Sequence, residues 1–197
     1  MNFQLLAIHE AGRARPSRVA CLMVDRLRPV SRPLGFDPIE EAHRQWVDHG
    51  WDEAADGMAA VTSVVRAEQL FRSRIDALLA PFALTFARFE VLTLLSFTRD
   101  GRLPLGKIGV RLQVHPASVT NAVDRLEAQG FVARAAHPTD RRATLAVLTP
   151  EGRRVAKRAG RVLNDEVFAL VPLSERELGQ LFTILRKLRA AAGDFDG

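Results

Sequence analysis

The chain has 197 residues, 47% of them hydrophobic, with a formal net charge of +5, one cysteine and no tyrosine. That length suits one domain with an extension, or one domain that pairs with a copy of itself. The lone Cys21 excludes a disulfide framework and any multi-cysteine metal site within one chain. No apolar run approaches the ~18 residues of a membrane span, which predicts a soluble, cytoplasmic protein with no membrane partner.

The charge is unevenly spread. Residues 37–100 hold 6 basic and 11 acidic side chains, a balance of −5, whereas residues 101–142 hold 7 basic and 3 acidic, a balance of +4. A basic block beside an acidic one points to a localised anionic partner.

Residues 1–36 mix Arg13, Arg15, Arg18, Arg26, Arg28 and Arg32 with Pro16, Pro29 and Pro33 and sustain no helical stripe. A disordered or loosely packed extension is expected. It lacks the apolar core of a secretory signal, and Met23 offers a later start, so residues 1–22 need not belong to the native protein.

An additional helix within 37–54 starts at Asp37-Pro38, with Asp37 as N-cap, and runs to about His49. A long helix follows from about Ala54 to Ala80. Val64, Ala67, Phe71, Ile75, Leu78 and Phe82 give it an apolar seam, Arg66, Glu68, Arg72 and Arg74 face outward, and Pro81 closes it. Thr85 can cap the next helix, Phe86–Phe97, whose nearly all-round apolar surface predicts burial.

Two short amphipathic helices come next. Pro104 opens the first, where a missing N–H costs nothing, and Leu105, Ile108 and Leu112 mark its buried face. After Gln113-Val114-His115, Pro116 opens the second, with Val119, Ala122, Val123 and Leu126 at i, i+3, i+4 and i+7. Its opposite face carries Ser118, Asn121, Arg125 and Gln129, and Gly130 ends it. Two alternating runs, Phe131–Ala136 and Ala143–Leu148, form a hairpin around His137-Pro138-Thr139-Asp140-Arg141-Arg142. His115 and His137 both precede prolines, which suits turn-setting roles.

Thr149-Pro150-Glu151 starts a further helix, striped by Val155, Ala159, Val162, Val167 and Leu170 and broken by Pro172. Ser174 and Glu177 make a capping box for the last helix, with Leu178, Leu181, Phe182, Leu185 and Leu188 at helical spacing. The fold class is therefore mostly α with a small β-hairpin wing: a winged helix-turn-helix flanked by N- and C-terminal helices whose apolar faces, more than one chain readily covers, predict dimerisation. The DNA-binding lobe occupies about 85–149 and the flanking helices about 55–80 and 150–190, within a domain of 55–190 followed by a tail at 191–197.

That order predicts double-stranded DNA as partner. A helix fits the major groove, where Ser118 bonds phosphate or base and Thr120 offers a hydroxyl and a methyl suited to thymine. Asn121 has the paired donor and acceptor that adenine requires, and Arg125 reaches phosphate or guanine. At the wing, Arg141 meets a phosphate and Arg142 suits a narrow minor groove. Asp140 either orients a wing arginine through a charge-assisted pair or caps the hairpin turn.

Ser118-Val119-Thr120-Asn121-Ala122-Val123-Asp124-Arg125-Leu126-Glu127, Gly130-Phe131-Val132, Arg134, and Asp140-Arg141-Arg142 continuing to Leu148-Thr149 together resemble the recognition region and wing of MarR-family regulators. The resemblance extends more loosely from about Ala55 to Ala190. Asn121 departs from it, since basic residues are common there. The resemblance implies a homodimer paired through the terminal helices and bound to an inverted-repeat operator, and it places Arg142 as the wing arginine. Cys21 lies away from the helices where peroxide-sensing members keep a reactive thiol. It also implies a repressor released by a small-molecule effector, anionic or aromatic, bound between stalk and lobe. The additional N-terminal helix resembles that of the urate-responsive subgroup, so Trp46 matches a site-lining tryptophan and Glu90 stands about where an aspartate is used. Arg66 and Arg88 would meet an anionic effector. Core, interface or solvated roles remain the alternative for all four.

Metalloprotease, phosphate-loop and nucleophile-elbow motifs are absent and the five histidines lack metal spacing, so neither an enzyme, a metal nor a cofactor is expected. The alternative is a winged-helix assembly module that sets its basic face on an acidic protein.

Overall fold

The computed structural model describes residues 34–140 and 142–196. The N-terminal extension up to residue 33, with Cys21, lies outside them, as does Arg141. Helices α1 (Pro38–Asp48) and α2 (Asp52–Leu79) come first, then α3 (Phe86–Ser96), strand β1 (Arg102–Pro104), α4 (Leu105–Leu112) and α5 (Pro116–Ala128). Strands β2 (Val132–Ala136) and β3 (Thr144–Leu148) form the hairpin, and α6 (Pro150–Glu166) and α7 (Glu175–Ala191) complete the chain.

Local chemistry sets most helix starts. Asp37 accepts from the Ile39 N–H at 2.9 Å, Thr149 from that of Gly152 at 3.0 Å, and Ser174 with Glu177 forms the reciprocal capping box. Each satisfies donors that a helix N-terminus otherwise leaves open. Gly130 takes φ +74° just beyond α5, a conformation that disfavours any side chain.

Strand β1 is the element absent from the sequence reading. Pro104 does not open α4; it ends β1 and stands as the α4 N-cap at φ −61°, ψ 140°. The sheet order is β1–β3–β2, all antiparallel, with Leu103 opposite Ala146 and Arg134 also opposite Ala146 from the other side. Proline is tolerated there because β1 is an edge strand.

The α6 helix also ends earlier than its apolar stripe, at Glu166, followed by a 3₁₀ turn at Phe168–Leu170. Val167 leaves helical geometry at φ −133°, ψ −64°, and Pro172, with no N–H for the Phe168 carbonyl, bars α-helix from resuming through the stripe's last turn.

The core joins α3, whose Leu92 and Leu95 are fully buried, to Leu79 of α2, Ile108 of α4, Val123 and Leu126 of α5, Ala146 of β3, and Ala159 and Leu163 of α6. Where α6 begins, a Cβ at Gly152 would lie 2.0 Å from the Phe131 carbonyl oxygen, so only glycine allows this approach. Arg74, expected to face outward, instead bonds Glu166 of α6 at 3.1 Å, tying the long helix to the lobe's exit helix.

Outside the core, the terminal helices expose apolar surface. Val61, Val64 and Val65 of α2, and Leu178, Leu181, Ile184 and Leu188 of α7, are all exposed. No single described helix is long and apolar enough to cross a membrane.

Candidate nucleic-acid interface

Helix α5 buries one side in the core. Val119, Val123 and Leu126 are no more than 2% exposed, while Ser118, Thr120, Asn121 and Arg125 are exposed. His115 accepts the Ala117 N–H on Nδ1 at 3.2 Å and so caps the helix. The Thr120 hydroxyl donates to the Pro116 carbonyl at 3.1 Å.

A groove of about 720 Å³ runs beside this face, lined by Thr85 and Arg88 at the start of α3 and by Ser118, Asn121 and Arg125 of α5. Gln129, grouped by helical periodicity with the polar face, is diverted from it. Its amide donates to the Ala83 carbonyl at 2.8 Å and its oxygen accepts from Arg88 at 3.5 Å. Arg134 of β2 bonds Asp124 and Glu127 of α5, and its own N–H donates to Glu127 at 3.0 Å. Those bonds, Asp124 foremost, push the Arg134 guanidinium still further towards its charged form. Helix α5 is thereby clamped at both its C-terminal end and its wing side.

The wing turn is built from its own side chains. His137 Nδ1 accepts the Asp140 N–H at 3.1 Å, and Asp140 Oδ1 accepts the Arg142 N–H at 2.9 Å. Asp140 therefore caps the turn through the Arg142 N–H. Arg142 is exposed beside it.

The four effector candidates fall at separate places. Trp46 packs edge-on against Trp51 at 5.4 Å in the α1–α2 corner, and Arg66 bonds Gln69 midway along α2. Glu90 is partly buried in α3; burial pushes its carboxyl up, with Arg72 opposing. Arg88 lies on the α5 groove. The groove takes only this one of the four. No sequence signal separated Arg88 from the others, because its neighbour Gln129 is 41 positions away.

The MarR family model matches residues 84–144, which hold the helix-turn-helix, β1, β2 and the wing turn. The crystal structure of Sco5413, a MarR family transcriptional regulator from Streptomyces coelicolor, is 48% identical and superposes with a TM-score of 0.65, covering 72% of this chain and 99% of that one. The chain belongs to the MarR family of transcriptional regulators. Sco3205, another MarR regulator of that organism, solved in complex with DNA, is 26% identical with a TM-score of 0.64 over 68% of this chain and 88% of its own. The transcriptional repressor Mb2911 of Mycobacterium bovis is 33% identical over 98 residues, 50% of this chain and 69% of its own length. Other curated mycobacterial regulators match at 30% identity, and the chain spans 64% of their length. MarR proteins are transcriptional regulators, not enzymes.

Proposed function

We propose that this MarR-family chain is a DNA-binding transcriptional repressor of the cytoplasm, acting as a homodimer on an inverted-repeat operator. The observation that carries the reading is the split character of α5: one side locked into the core, the other polar, exposed and flanked by an open groove. Such a helix enters a major groove, where Asn121 pairs with adenine, Thr120 meets a thymine methyl, and Ser118 and Arg125 reach phosphate or base. Arg142, and Arg141 of the undescribed wing tip, supply the contacts beside it, with Asp140 shaping the turn. The exposed apolar residues of α2 and α7 support pairing with a second copy, since contiguous apolar faces of that kind mark interaction sites.

Release by a small anionic or aromatic effector is the accompanying proposal. Trp46, Arg66, Arg88 and Glu90 are the candidates for its contacts, and an effector would act by favouring a spacing of α5 helices that no longer fits the operator. Selecting bound duplexes from genomic fragments, with competitor DNA and at stated salt, tests the reading: enrichment of an inverted repeat is expected, and no sequence enrichment would sink it. An assembly module would bind an acidic protein in the same assay format and leave DNA unselected.

A further inference from the structure

We propose that Arg88 is a second cationic anchor for the DNA backbone, facing Arg125 across the α5 groove and aimed by Gln129; this rests on the DNA-binding reading above and deepens it. The groove's two walls each contribute one guanidinium, Arg88 from α3 and Arg125 from α5, with Ser118 and Asn121 lining the same groove on the α5 side. Among the described residues neither arginine is ion-paired, whereas Arg74, Arg134 and Arg189 all hold carboxylates. Arg88 is steered by neutral groups instead: its Nε donates to the Thr85 hydroxyl at 3.2 Å and another guanidinium N–H to Gln129 at 3.5 Å. Gln129 is itself fixed by its bond to the carbonyl of Ala83, which holds a left-handed turn at φ +53°.

Two uncompensated like charges on one groove repel each other and are relieved by an anion between them. A helix that enters the major groove is flanked on both sides by sugar-phosphate ridges. Arg88 projects from a neighbouring helix, not from α5, so it meets the ridge and not the base edges. Five N–H donors leave a guanidinium able to serve Thr85, Gln129 and a phosphate at once. Such a contact adds affinity for any sequence and one released counterion.

The test uses a duplex selected from random-sequence DNA by the unmodified protein, followed by fluorescence anisotropy across a salt series. Arg88→Ala and Arg88→Gln are expected to weaken binding about tenfold and to flatten the salt slope by about one unit, while reselection returns the same sequence. Arg88→Lys should keep the slope. Gln129→Ala, which frees Arg88 without removing it, should lose affinity at an unchanged slope. Unchanged affinity and slope in both Arg88→Ala and Arg88→Gln would overturn the inference and leave the proposed function standing, as would a changed consensus, which marks base reading. Failure of the unmodified protein to select any DNA would overturn the proposed function itself.

Discussion

Gln113 sits in the turn between α4 and α5, yet its side-chain amide donates to the main-chain carbonyl of Asp194, 81 residues further on, at 2.6 Å. The same side chain accepts from Arg189 at 3.0 Å, and Arg189 bonds the Asp194 carboxylate at 2.6 Å. Phe195 lies under the guanidinium groups of both Arg186 and Arg189, at 5.1 and 5.3 Å. Residues 189–195 are thus fastened to the turn between α4 and α5. Gln113 is at φ +55°, where asparagine is tolerated but is one methylene too short for these bonds. Gln113→Asn should therefore cost about 1–2 kcal/mol for the two lost bonds and expose the 192–196 amides to hydrogen exchange. Unchanged exchange there would show that the clasp does not hold the tail.

Gly152→Ala is expected to be among the most damaging small substitutions in the molecule. The new Cβ meets the Phe131 carbonyl oxygen at 2.0 Å, and main chain cannot swing aside as a side-chain tip can. A loss of about 3 kcal/mol or more is expected in urea unfolding. Gly179→Ala, with nothing within 4 Å of its added methyl, serves as the neutral control.

Glu90 should make stability fall as pH rises. Burial raises its folded carboxyl above the usual value, so between the unfolded and folded pKa the native state holds more protons and loses stability with increasing pH. Glu90→Gln removes that penalty. The variant is expected to melt higher than the unmodified protein at pH 7 and to lose this advantage near pH 4. An equal difference at both pH values would refute a burial origin.

Ile184 is 59% exposed and Leu188 58% on α7. If that face covers a second copy, Ile184→Glu with Leu188→Glu should leave the fold intact but shift the particle to monomer mass in light scattering. Its affinity for a full inverted repeat should then fall to that for one half-site. A double variant that still runs as a dimer would place the interface elsewhere.

Asn121→Ala is expected to relax preference at one base pair per half-site, at about 1–3 kcal/mol. Arg142→Ala should weaken binding to all duplexes and lower the salt slope by about one unit. Identical selected sites for Asn121→Ala and the unmodified protein would remove Asn121 from the readers.

The legible parts of this molecule are those governed by neighbours in sequence. Asp37, Thr85, Thr149 and Ser174 cap helices because a cap needs only the next turn, and the α5 stripe is visible because its period is local. Strand β1 was hidden because three residues, Arg102-Leu103-Pro104, carry no alternation; they become a strand only through Leu145–Val147. The same holds for Arg74 and Glu166, 92 positions apart, and for Gln129, whose polar character fits a DNA-facing surface until Ala83 claims its amide. Asp140 remained two-valued in sequence since a carboxylate serves a turn N–H or a guanidinium equally well.

Because β3 is flanked by β1 on one side and β2 on the other, the strand that carries the wing also carries the lead-in to α4. The hairpin strands and α4 cannot tilt independently without tearing that shared ladder, and α4 packs in turn against α5. On the proposed operator each lobe would then meet the duplex as a rigid stamp. In the proposed dimer, control would then come from how far apart two stamps are held, not from reshaping either one.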